Sequence, residues 1–188
     1  MAIWIKRHFT RKSERERFQR LTREHYRIVS PPYWLFWWRL RKYNCIAFSA
    51  GDTTRWWWPD PYDQYYWPPG VTREVTVPAF IEMFCSLGYK DFMEGEPNPP
   101  SEFENVALYY DPWGRQPFTF AGMPSHATRQ MENGNWRSKL GATELIEHTM
   151  LDCMAGRFPS YGEPIKQLRK TRIRKRSFWQ RLRSFTGI

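Results

Sequence analysis

Cysteine is scarce in this chain: Cys45, Cys85 and Cys153 are the 3 present among 188 residues, an odd number with no C-x-x-C spacing. That pattern argues against a disulfide framework and a zinc knuckle and points to a reducing, cytoplasmic setting. Long apolar runs are missing as well. The opening MAIWIKRHFTRKSER has no uninterrupted apolar stretch of the secretory type, and the most apolar run, Tyr33 to Trp38, falls far short of a membrane span, which needs ~20 residues. Acidic residues are absent from 166–188, which hold 9 Lys or Arg, and rare in 1–44, where 12 Lys or Arg meet 3 acids. Residues 45–165 reverse the balance, with 8 bases against 16 acids. The net charge of +10 is therefore a property of the two ends, and a nucleic-acid-binding label for the whole chain would misread it. No internal repeat, metal-ligand cluster or cofactor motif stands out, so no metal and no cofactor are expected.

Aromatic side chains are abundant, with 11 Trp, 13 Phe and 10 Tyr, so the interior is expected to be built from large flat rings. Length and charge together predict one core over 31–165, a basic helical arm over 1–30 and a basic amphipathic tail over 166–188. From Ser13 to Val29 the apolar positions recur at helical steps until Ser30-Pro31-Pro32 stops them. The bulky YWLFWWRLRKY that follows must pack on the core or meet a partner. Asn44 is suited to cap a short helix opened by Cys45, and Thr76-Val77-Pro78 opens another that Gly88 closes. Val106–Tyr110 reads as a strand. SHATRQM and NWRSKL, joined through Asn133-Gly134, read as a hairpin, with His126, Thr128 and Gln130 on one face of its first strand. Thr143 is expected to cap a helix running to about Gly156.

The order is what carries chemistry: a helix headed by a cysteine, a second helix, then a hairpin whose first strand begins with a histidine. A thiol becomes a nucleophile when its pKa falls, and a helix N-terminus and a neighbouring imidazolium both favour the thiolate. This arrangement, carried by Cys45 in NCIAFSAG and His126 in PSHATRQ, resembles the papain-like cysteine peptidase and amidase superfamily. The resemblance implies an α+β fold in which the Cys-bearing helix packs on a small antiparallel sheet, with Cys45 as nucleophile and His126 as proton carrier. It also implies a third polar residue on the next strand to orient the imidazole. Ser138 falls there, with Asn135 as the other candidate. The backbone N–H of Cys45, with Asn44, would stabilise the oxyanion. The longer blocks NCIAFSAGDTTRWWWP, SHATRQMENGNWRSKLG and IEH also resemble an uncharacterised bacterial family over roughly residues 43–150, a likeness that implies no activity.

Each of these residues also has a plainer reading. Cys45 and Cys153 can be buried filler, His126 a strand residue bonded to a carbonyl, and His148 a structural histidine. Asp52 can pair with Arg55 or take part in the site. Trp56, Trp57 and Trp58 can line a substrate wall, but adjacent residues point in different directions, so at least one belongs to the core. Two functions follow as expectations: a cysteine hydrolase or acyltransferase acting on an amide or ester through Cys45 and His126, or a non-catalytic scaffold whose basic arms dock on nucleic acid, anionic membrane or an acidic protein.

Overall fold

The computed structural model describes residues 18, 20, 25–93, 95–114, 121–157 and 160–173. Its spine is a six-stranded sheet in which every pairing is antiparallel. In chain order the strands are β1 (Tyr26–Ile28), β2 (Phe103–Asp111), β3 (Met123–Gln130), β4 (Trp136–Lys139), β5 (Leu145–His148) and β6 (Glu163–Thr171). In space they run β1-β5-β4-β3-β2-β6. Helices α1 (Tyr33–Leu40), α2 (Cys45–Ala50) and α3 (Val77–Ser86) lie between β1 and β2, and a 3-10 turn spans Leu151–Met154. The protein is thus α+β, the class expected from its sequence.

Local chemistry explains the elements that the sequence announces. Asn44 caps α2 by accepting from the Ala47 N–H at 3.0 Å, and Gly51, with φ 89°, closes it. Thr76 accepts from the Ala79 N–H at the head of α3, where Pro78 occupies a position that has no helical partner to lose. In the β3–β4 turn Gly134 takes the positive φ of 85°, which costs glycine nothing. Gly162 is required for a different reason. A Cβ there would fall 1.9 Å from the Tyr110 carbonyl oxygen, so two backbones meet where no side chain fits.

Three expectations are corrected. The helix drawn over Ser13–Val29 ends instead in strand β1, where Tyr26, Arg27 and Ile28 pair with His148, Glu147 and Ile146; residues 13–17, 19 and 21–24 lie outside the described ones. The helix drawn from Thr143 is strand β5 followed by the 3-10 turn, because the apolar and β-branched run Leu145-Ile146 completes a ladder between two waiting strands. The basic amphipathic tail drawn from 166 begins instead inside the sheet: residues up to Thr171 form β6, paired with β2 along its length. The boundary drawn at 165/166 therefore falls inside a strand. Residues 174–188 lie outside the described ones.

The sheet separates two apolar clusters. On the side of α2 and α3, Tyr43, Cys45, Ile46, Trp57, Trp67, Phe80 and Phe84 pack with Val106, Leu108, Ala127 and Leu168. On the other side Phe18, Tyr109, Leu140, Ile146, Cys153, Met154 and Tyr161 pack together. Neighbouring strand residues project to opposite faces, so Ala127 joins the first cluster, while His126, paired with Tyr109 across β2, belongs with the second.

Candidate functional site

Cys45 sits where its sequence places it, at the first turn of α2 and buried against the sheet. Burial pushes its thiol pKa up, while the Ala127 backbone N–H, the charge of Lys139 and the Ile46 N–H pull it back down. The cation whose charge reaches this sulfur is thus Lys139, on β4. Its ammonium donates to the Gly141 carbonyl at 2.7 Å and lies 5.1 Å from the centre of the Tyr43 ring. Burial lowers its pKa to about 8, against the opposing influences of Cys45 and Glu144.

His126 is not part of that arrangement. Its ring lies on the opposite face, stacked on Tyr161 at 4.0 Å and 9° and edge-on to Tyr109 at 5.5 Å. The pairing of Cys45 with His126 is therefore corrected: a single step along β3, from Ala127 to His126, carries the side chain through the sheet. The expected bond between His126 and Ser138 does form, at 3.0 Å, and Ser138 goes on to His148 at 2.9 Å. The His148 Nδ1 is 2.8 Å from the Met150 carbonyl. A carbonyl only accepts, so Nδ1 carries the proton and Nε2 of the neutral ring accepts from the Ser138 hydroxyl. The hydroxyl oxygen in turn accepts from the His126 Nε2–H. Burial lowers the His148 pKa to about 4, which keeps that ring neutral and the direction of the chain fixed. All three side chains are buried.

Asn135 does not orient an imidazole. It donates to Glu147 at 3.1 Å, as do Asn133, Arg137 and, from β1, Arg27. Arg129, Arg137, Glu147 and Arg27 form one row across β3, β4, β5 and β1. Burial opposes the charge of Glu147, but the bonds from Asn135, Arg137, Arg27 and Asn133 hold its pKa down to about 2. Asn44 is also committed elsewhere: its amide donates to the Trp57 carbonyl at 2.7 Å, tying α2 to the tryptophan run. Asp52 accepts from Thr54, from Arg55 at 2.9 Å and from the Trp57 indole at 2.8 Å. These bonds outweigh its burial and lower its pKa to about 2. It fastens a loop, as the pairing with Arg55 predicts.

The three tryptophans are extended, not helical. Trp57 is buried and packs on Tyr66 at 4.7 Å, Trp58 meets Phe80 edge-on at 5.5 Å, and Trp56 faces Tyr65 at 6.1 Å. Trp57 and Trp58 therefore serve the core beneath α3. Sequence reasoning missed Lys139, Glu147 and Tyr161. The alternation in NWRSKL does put Lys139 on the face opposite Ser138, and that was the available signal for the lysine. Among the described residues no group of His, Cys, Asp and Glu could hold a metal ion, and no helix is long and apolar enough to cross a membrane.

An α+β domain built on one antiparallel sheet, with a capped cysteine helix on one face and a histidine–serine–histidine chain on the other, is the class that fold and site define. The chain belongs to the family described as Domain of unknown function (DUF7689), whose model matches residues 39–169. No curated protein and no solved structure matches it.

Proposed function

We propose that this protein is a non-catalytic docking domain whose cationic ends hold it on a polyanionic surface. The observation that carries this reading is the separation of Cys45 from His126 by the sheet, set beside a charge pattern that leaves 45–165 acidic and loads the ends with base. The stretch of tail within β6 is excluded from the docking role. Lys166 pairs with Asp91, Arg169 with Glu96, Lys170 with Glu104 at 3.4 Å and Arg172 with Glu132 at 3.6 Å. The docking charge is then assigned to the bases of 1–44 other than Arg27, which Glu147 holds at 2.7 Å, and to those of 174–188. In the full chain, changing Arg174, Lys175, Arg176, Arg181 and Arg183 to Gln should weaken heparin binding and flatten its dependence on salt, since each neutralised anionic group releases counterions. Unchanged affinity and salt slope would defeat the assignment of the tail.

A second reading keeps the hydrolase or acyltransferase expectation and the papain-like resemblance, re-centred on Lys139. The lysine beside the Cys45 sulfur favours it. Cys45 would give its proton to the neutral Lys139 amine and attack an acyl carbonyl, the sulfur–carbon bond forming as the leaving group departs with a proton. Alkylation of Cys45 by iodoacetamide, followed by mass spectrometry, should then accelerate as pH rises through about 8 and slow in Lys139→Met. A Cys45 that stays unmodified while the fold persists would end this reading.

A further inference from the structure

Helix α1 exposes what a folded core would normally hide. Leu35 is 44%, Trp37 47% and Trp38 49% exposed, while Leu40 at the end of the same helix is buried at 4% and anchors it. The two indoles meet edge-on at 6.4 Å, and Phe36, where the helix kinks, lies 5.8 Å from Trp38. Cations follow at once. Arg39, Arg41 and Lys42 are exposed. Among the described residues none of the three makes an ion pair, and Arg41 lies 5.7 Å from the centre of the Trp37 ring. No acidic residue occurs between Glu24 and Asp52. The contrast with β6 is direct, because its three cations, and Arg172 just beyond it, are each matched by a carboxylate.

We propose that the exposed face of α1 docks on an anionic lipid bilayer at the level of its headgroups. Indole rings have an apolar body and a polar N–H, and they settle at the boundary between acyl chains and headgroups. Arg and Lys beside them meet lipid phosphates and carboxylates. With 8 residues the helix is far shorter than the ~20 residues of a span, so it lies on the surface. The face is an outward cluster of rings, with the cations grouped at one end. That arrangement suits a flat, partly apolar surface better than a phosphate backbone, which is held by cations spaced along a groove. The inference rests on the docking reading for the sign of the charge and adds the nature of the surface.

The test uses the full chain with vesicles of phosphatidylcholine, alone or with about one lipid in five replaced by phosphatidylserine. Wild-type protein should sediment with the anionic vesicles, and lipids brominated near the headgroup should quench part of its tryptophan emission. Trp37→Ala with Trp38→Ala should weaken binding at least about tenfold with heparin affinity kept, and Arg39, Arg41 and Lys42 changed together to Gln should remove the preference for phosphatidylserine. Failure to sediment, absence of quenching, or equal binding by the tryptophan variant would overturn the proposal. Retained heparin binding in that case would leave the docking reading standing, whereas loss of both would remove the two together.

Discussion

The two faces of the sheet hold comparable apolar clusters but treat polarity in opposite ways. On the α2 and α3 face the polar groups are edges of the packing: the Trp57 indole reaches Asp52, Asn44 reaches the Trp57 carbonyl, and Lys139 reaches Gly141. The rings do the filling. On the other face a polar chain runs through the interior, from His126 through Ser138 to His148 and Met150. Buried polar groups are tolerated when each finds a partner, and here the order of donors and acceptors is fixed from one end. The difference teaches that thiol and imidazole, which look like partners in the sequence, belong to separate structural tasks.

Removing a ring from the first face should have the largest effect. Trp57 is buried among Tyr43, Phe80 and the α2 residues, and truncating a buried Trp costs about 3–5 kcal/mol. Trp57→Ala is expected to lower the urea midpoint accordingly, with loss of the indole bond to Asp52 adding to the cavity. A shift no larger than that of an exposed control such as Tyr62→Ala would show that this face is not the packed one. Glu147→Ala comes next. It leaves Arg27, Arg137, Asn133 and Asn135 without their shared acceptor; the two cations stay open to solvent, so the cost is that of the lost charge-assisted hydrogen bonds, about 2–3 kcal/mol. The same substitution should weaken the edge β1–β5 first, seen as faster amide exchange at Tyr26–Ile28.

Much of the architecture follows from short, strong signals. Asn44, Thr76, Pro78 and Gly134 each specify a backbone geometry within three or four residues, so α2, α3 and the β3–β4 hairpin were legible. β5 and β6 were not, because ELIEH and PIKQLRKT carry no alternation that outweighs their helical steps; each becomes a strand when a neighbouring strand offers its ladder. The site shows the same limit. The bond from His126 to Ser138 follows from two adjoining strands with known alternation. Which face α2 covers is decided by contacts far apart in the chain, and the choice of that face sets Lys139, not His126, beside Cys45.

Acid should separate the faces further. His148 has a pKa of about 4 against its ordinary 6.5, so the unfolded chain binds more protons between these values and stability falls as pH drops from 6.5 towards 4. The full effect is about 3 kcal/mol. Glu147, held at about 2 against 4.5, adds a second loss as pH falls below about 4.5. Stability measured by urea at stepped pH should therefore decline in two stages, and His148→Gln should flatten the first while leaving the second. A single decline confined to pH below about 4 would mean that His148 is not buried as a neutral ring.

The smallest expected effect is the most discriminating. Ser138→Ala removes the hydroxyl that donates to His148 and accepts from His126, leaving two buried ring nitrogens without it. Leaving such groups unpaired costs about 1–3 kcal/mol. The loss should show in thermal stability and in an upward shift of the His148 titration, since its Nε2 loses the hydroxyl that bonds to the neutral ring. The reactivity of Cys45 should stay as it was, because the sheet lies between the hydroxyl and the sulfur. If Ser138→Ala slowed Cys45 alkylation as strongly as Lys139→Met, the two faces would be one site, and serine, histidine and cysteine would have to be rejoined.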